Sequence, residues 1–161
     1  SLIKIVARGG NFLLNIGPKP DGEFEDEAYN RLNEIGKWMK INGEAIYHSK
    51  VYKVCAEGPT KVEEGFFTDQ KVKVFTSQDF RFTVQGGYLY AIALKESTDG
   101  KYLIRTFSSA SEKGEGFTGI LQNVEVLGAK TKAAWEQTTD GLKVSTDYRS
   151  GAPIVFRLTL A

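Results

Sequence analysis

Two hydrophobic rhythms divide this chain. Up to about residue 47 apolar positions recur at helical spacing or run together, and beyond it they fall in short β-branched and aromatic stretches broken by glycine. Leu2, Ile3, Ile5 and Val6 suit the last turns of a helix, and Arg8-Gly9-Gly10 has the basic residue and glycine of a helix C-terminus. Asn11-Phe-Leu-Leu-Asn-Ile16 then reads as a buried parallel strand, apolar on both faces. Such a strand needs a parallel neighbour on each side and helices over the sheet, because its backbone groups and both side-chain rows must be paired and buried. The chain offers one such strand, so the expectation is part of a larger fold whose sheet partners lie elsewhere. Gly17-Pro-Lys-Pro-Asp-Gly22 is dense in turn residues, Ala28, Leu32, Ile35 and Met39 form one helical stripe, and Asn42-Gly43 supplies the stop.

From about Tyr47 the pattern is all-β. Strands are predicted at 71–76, 81–84, 88–94, 102–107, 124–127, 141–145 and 154–160, separated by turn signals at Gln85-Gly86-Gly87, Thr98-Asp99-Gly100, Thr139-Asp140-Gly141 and Ser150-Gly151. This spacing suits an antiparallel sandwich. Helix, buried strand and helix followed by an antiparallel β domain is the economical signature of the end of an α/β barrel or doubly wound sheet with a C-terminal sandwich. The boundary falls near residues 48–52.

Composition narrows the chemistry. The 161 residues are 41% hydrophobic and 25% charged, enough apolar material for one core of moderate size. A net charge of +1 with dispersed Lys and Arg argues against a nucleic-acid face or a polybasic membrane patch. No apolar run is long enough to span a membrane. Cys55 is the only cysteine and His48 the only histidine, so neither an internal disulfide nor a Cys- or His-based metal cluster is expected, and a cysteine–histidine nucleophile does not fit a strand thiol. Asp21, Glu23, Glu25, Asp26 and Glu27 sit at a turn and helix start, where carboxylates favour the positive end of the helix dipole, and are read as structural.

Gly9-Gly-Asn-Phe-Leu-Leu-Asn-Ile-Gly-Pro18, Pro20-Asp-Gly22 and Ile35-Gly-Lys-Trp-Met-Lys-Ile-Asn-Gly-Glu-Ala-Ile-Tyr47 closely resemble the end of the catalytic barrel in α-L-fucosidases of glycoside hydrolase family 29. Phe75-Thr-Ser-Gln-Asp-Phe-Arg-Phe-Thr83, Tyr88-Leu-Tyr-Ala-Ile-Ala-Leu94, Val126-Leu-Gly128, Trp135 and Asp140-Gly-Leu142 are similar, more loosely, to that family's C-terminal β-sandwich. The resemblance implies an α+β fragment: the terminal helix–strand–helix of a (β/α)8 barrel over residues 1–47, followed by an antiparallel β-sandwich over 48–161. Residues 2–8 would end the seventh barrel helix, 12–16 would be the eighth strand and 24–41 the eighth helix. The implied parent is a retaining exo-glycosidase that removes α-linked L-fucose from glycan ends with a carboxylate nucleophile, a carboxylic acid/base and no metal or other cofactor. In that family both carboxylates lie on upstream barrel strands and loops, so no residue of this chain is assigned a catalytic role and the fragment alone is expected to be inactive. The family also implies an extracytoplasmic setting, where glycans are found.

What remains for this chain is support. Asn15 and Gly17 would lie at the C-terminal end of the eighth strand, the face on which barrel active sites form, and so have a claim on substrate, although both also suit the turn that follows. Trp38, Glu44, Ile46 and Tyr47 would pack the seam between barrel and sandwich, with His48 a surface neighbour. The partners expected are the upstream barrel segment and, through the parent enzyme, a fucosylated glycan; the unpaired strand could also drive self-association. Two other readings stay open: a carbohydrate-binding or accessory sandwich using exposed aromatics such as Trp135 with Tyr88 or Tyr102, and a structural interaction module. Ala133-Ala-Trp-Glu136 more often buries its ring, which weighs against the first.

Overall fold

The computed structural model describes residues 1–61, 74–109 and 117–161. Two helices come first, α1 (Leu2–Ala7) and α2 (Asp26–Asn42), followed by a 3₁₀ turn at Gly43–Ala45. Among the described residues eight strands follow: β1 (Lys50–Glu57), β2 (Phe80–Gln85), β3 (Tyr88–Ala93), β4 (Lys101–Ile104), β5 (Leu121–Val126), β6 (Ala134–Thr138), β7 (Gly141–Ser145) and β8 (Ile154–Leu160). They form a five-stranded sheet in the order β1-β2-β3-β8-β5 and a three-stranded sheet in the order β4-β7-β6, with every pairing antiparallel.

Strict alternation gives the large sheet two different faces. Phe80, Phe82, Leu89, Ala91, Ala93, Ile154, Phe156 and Leu158 point inward and meet Tyr102, Ile104, Leu142 and Val144 of the small sheet in the main core. Tyr52, Phe82 and Phe107 sit edge-on or tilted at centroid distances of 5.3 to 6.2 Å, and Tyr102 meets Phe156 edge-on at 4.9 Å. The intervening residues face outward: Tyr90, Ile92 and Val155 form a second cluster with Ala45 and Ile46, against which Leu2, Ile3 and Val6 of α1 and Trp38 and Met39 of α2 pack. Helices therefore cover the outer face of the large sheet, and the small sheet covers its inner face. The tight β2–β3 connection follows from Gly86 and Gly87, whose φ values of 59° and 84° are those of a two-residue hairpin turn whose twist matches the strands.

The expected elements are largely present, with informative departures. The strand predicted at 102–107 stops at Ile104, because the Glu57 carboxylate at the end of β1 accepts hydrogen bonds from the Arg105 and Thr106 N–H groups, both at 2.7 Å, and the chain turns into a 3₁₀ segment. Of the strand predicted at 71–76, residues 71–73 lie outside the described residues and 74–76 form no strand. The largest departure is 12–16. The segment expected as the eighth barrel strand carries no strand pairing, and Leu13 is 91% exposed. Among the described residues no parallel strand lies beside it, so its backbone has no ladder to join. The predicted stripe of α2 is split: Leu32 and Ile35 are exposed, whereas its last member, Met39, packs inward beside Trp38.

Candidate functional site

Polar residues at outward positions of apolar strands build a row across the large sheet. Thr83 of β2 is registered with Tyr90 of β3, Tyr90 with Arg157 of β8, and Arg157 with Glu125 of β5. Each is engaged. The Thr83 hydroxyl donates to the Ala45 carbonyl at 2.8 Å, and the Tyr90 hydroxyl donates to Glu44 Oε1 at 3.2 Å. Arg157 forks between two carboxylates, reaching Glu44 Oε1 through Nη1 at 3.1 Å and Glu125 Oε2 through Nε and Nη2 at 3.1 and 2.9 Å. Its guanidinium also lies over the Tyr88 ring, 5.0 Å from the centroid. On the far side of the helical layer, Trp38 Nε1 donates to the Pro153 carbonyl at 2.8 Å. The 3₁₀ turn carrying Glu44 and Ala45 is thus fastened to the sheet by three side chains, and α2 by one.

The electrostatics of this row do not suit acid–base chemistry. Burial, followed by the negative charge of Glu44, pushes the Tyr90 phenol up to about 12, so it stays protonated as a donor. The hydrogen bond to Glu125 raises Arg157 above the ordinary arginine value, outweighing partial burial. Two carboxylates come together here, but both are held by one guanidinium that cannot exchange its proton in the working pH range. The row can position a turn against a sheet; it lacks a neutral acid facing an ionised nucleophile across a substrate gap.

Other acidic residues are likewise committed to the backbone. Asp79, fully buried, accepts from the N–H and hydroxyl groups of both Thr60 and Thr76 at 2.7 to 2.9 Å. Burial would raise its carboxyl, but these four hydrogen bonds reverse that and hold it below the ordinary aspartate value. Glu96 accepts from the Ser150 and Gly151 N–H groups, and Asp21 Oδ1 accepts from the Glu23 N–H at 3.0 Å. Asp26 and Glu27 occupy the first turn of α2.

An open groove of about 650 Å³ runs along the small sheet, lined by Gln78, Asp99, Lys101, Leu103, Trp135 and Lys143 among others. Trp135 is registered with Val144, which in turn pairs with Tyr102, so the Trp135 ring leans against the main core while its edge meets the groove. The aromatic platform expected from Trp135 with Tyr88 or Tyr102 does not assemble: Tyr102 is buried with its hydroxyl accepting from the Ser97 N–H, and Tyr88 belongs to the helix-covered face.

The alpha-L-fucosidase family model matches residues 1–44. The chain is similar to the tissue alpha-L-fucosidase of Homo sapiens, 53% identical over 59 residues, which cover 37% of this chain and 13% of that protein. It is similar to the plasma alpha-L-fucosidase of Homo sapiens, 31% identical over 103 residues, 64% of this chain and 19% of that protein. The crystal structure of Thermotoga maritima alpha-fucosidase shares its fold, with a TM-score of 0.70 and 22% identity over 98% of this chain and 32% of the other. The chain resembles the C-terminal portion of α-L-fucosidases, most densely over residues 1–44. It spans 13 and 19% of the two curated relatives and about a third of the solved structure.

The matched residues include several exposed apolar side chains. Leu13, Leu14, Tyr29, Leu32 and Ile35 are all exposed, and a shallow depression of about 240 Å³ opens between Leu2, Ile3, Ile35, Trp38 and Pro153. Asn15 and Gly17 lie in the same stretch, both exposed, and a Cβ at Gly17 would meet nothing within 4 Å. Ile46 is buried in the second cluster, whereas Tyr47 is 60% exposed with its ring resting on Gly43. His48, at φ 58°, is exposed beside it. Sequence reading picked out Trp38, Glu44 and Ile46 but missed Thr83, Tyr90, Glu125 and Arg157. Their signal was available: Thr83 and Arg157 interrupt strands that are otherwise apolar at alternate positions, which marks a face meeting a polar partner.

Proposed function

We propose that this chain is the C-terminal part of a retaining exo-α-L-fucosidase that releases terminal α-linked L-fucose from glycans, and that it is inactive without the preceding barrel segment. Residues 1–47 would close the (β/α)8 barrel, residues 48–161 would form a sandwich that supports it, and Asn15 and Gly17 would come near the sugar. One observation carries the reading. Within the residues that match the fucosidase model, the apolar run at 12–16 joins no sheet among the described residues and leaves Leu13 91% and Leu14 46% exposed. An eighth strand and its helix need the first and seventh units of the barrel on either side, and exposed Leu at these positions is what their absence leaves.

Hydrolysis of 4-nitrophenyl α-L-fucoside by the enzyme containing the barrel, set against the 161-residue chain alone, tests this. The larger enzyme is expected to turn over and the chain to be silent; turnover by the chain overturns the reading. Proton NMR of the first-released fucose is expected to show the α anomer, and release of the β anomer would make the enzyme inverting. Gel filtration of the chain alone checks the further expectation that the uncovered face drives self-association. A carbohydrate-binding module is the competing reading, and it requires saturable binding of a fucosylated oligosaccharide by the chain with loss on Trp135→Ala.

A further inference from the structure

Arg81 stands out among the charged residues of the large sheet. It projects from the outward face of β2 beside Thr83, yet is only 4% exposed, and its Nε has no hydrogen-bond partner. Of the five N–H donors of a guanidinium, one Nη1 donor reaches the Phe80 carbonyl at 2.7 Å, and the Cζ lies 5.9 Å from the Phe75 ring centroid. Its pairing is therefore poor for a buried cation, which is costly unless opposed by charge and hydrogen-bond acceptors. Burial accordingly lowers its pKa, with Arg8 adding to the shift and Asp79 opposing it.

Among the described residues, the surroundings supply space but no spare acceptor. A cavity of about 210 Å³ is lined by Arg81, Arg8, Ala56, Glu57, Gly58 and Thr60. Lys4 lies over the other partner of Arg81, the Phe75 ring, at 5.3 Å. Of the described carboxylates nearby, Glu57 is spent on the Arg105 and Thr106 N–H groups and Asp79 on Thr60 and Thr76. A cavity beside a buried, under-bonded guanidinium fits a group that brings both negative charge and paired acceptor oxygens. We propose that Arg81 and this cavity form an oxyanion-binding site that takes a carboxylate or phosphate group. The group comes either from a small anion in solution or from an acidic side chain of the rest of the enzyme; only the second source rests on the proposed function.

Thermal unfolding distinguishes the sources. The 161-residue chain and the enzyme containing it are melted in inorganic phosphate and in sodium chloride at matched ionic strength, as wild type, Arg81→Met and Arg81→Lys. Met keeps the apolar stem and removes the charge, while Lys keeps a charge and loses the fork. For a free anion, phosphate raises the melting temperature of the wild-type chain saturably, by a few degrees beyond chloride, and both variants lose that response. For an acidic side chain of the enzyme, phosphate has no effect, both variants lower the melting temperature of the intact enzyme, and Arg81→Met leaves the isolated chain unchanged or more stable. The proposal is overturned if phosphate acts as chloride does in both proteins and Arg81→Met has the same effect in each, whether nil or large. The first arm needs no fucosidase activity, so failure of the functional reading leaves it standing.

Discussion

Phe82 and Leu13 both lie in runs that read as buried strands, and the fold treats them oppositely: Phe82 is fully buried and Leu13 is 91% exposed. Phe82 belongs to a sheet whose every neighbour is within the chain, with β1 on one side, β3 on the other and the small sheet beneath. Leu13 lies in a segment whose hydrogen-bonding neighbours are absent from the described residues. The sandwich buries a full aromatic core and pairs even the buried Asp79, leaving Arg81 Nε as its exception, whereas the helical region covers its sheet-facing side only. Its inward side chains, Trp38, Met39 and Ile46, meet the sheet, whereas Leu13 and Leu14 on its outer side are exposed. The difference shows that a strand's pattern specifies a need for burial, and that only the neighbours decide whether burial happens.

The sharpest way to break this contrast is to truncate both residues. Phe82→Ala is expected to cost about 3–5 kcal/mol in urea unfolding of the chain, because it empties a fully packed aromatic site. Leu13→Ala should change the same measurement by no more than about 0.5 kcal/mol. In the enzyme that contains the barrel, Leu13→Ala is expected to cost about 2–5 kcal/mol, and equal small effects in both proteins would refute the idea that the barrel covers it.

Asp79→Asn probes how completely the sandwich satisfies itself and should cost about 2 kcal/mol near neutral pH. The Asp79 carboxyl is held below its ordinary value in the folded state, so its contribution is full above the unfolded aspartate range and is lost as pH falls through the lower folded value. Unfolding free energy measured against pH should therefore decline more gently in acid for Asp79→Asn than for the wild type; parallel curves would show that the four hydrogen bonds do not favour the charged form.

At the junction of the two regions the effects shrink. Trp38→Phe keeps an aromatic side chain but removes the donor to the Pro153 carbonyl and part of the indole's packing volume, and at least about 1 kcal/mol of destabilisation is expected in the same urea experiment. Glu44→Gln should cost only about 0.5 kcal/mol, and less at high salt, because its pairing with Arg157 is partly exposed. A loss several times larger would mean that the Glu44–Arg157–Glu125 row fastens the helical layer more firmly than its exposure suggests.

Much of the architecture was legible in advance. The β7 and β8 ranges were predicted residue for residue, the hairpin at Gly86-Gly87 was marked by its turn chemistry, and both ends of α2 and the C-terminal end of α1 were placed within two residues. The site was less legible. Glu44 could be named from its motif, but its partners Tyr90 and Arg157 lie 46 and 113 residues away in sequence, and register alone brings them together. The same limit hid the end of β4, where Glu57 captures the Arg105 and Thr106 amides across 48 and 49 residues.

Sequence by itself determined which residues need burial, where glycine permits a turn and which periodicity each segment follows, since these depend on side-chain chemistry and local sterics. Tertiary structure alone decided which needs are met. It put Phe82 in a core and left Leu13 outside one, turned Trp38 rather than Leu32 toward the sheet, joined Glu44 to Arg157, and left Arg81 buried without a full set of acceptors. The reason is that hydrogen bonding and apolar burial require a second surface, and the identity of that surface is set by non-local pairing.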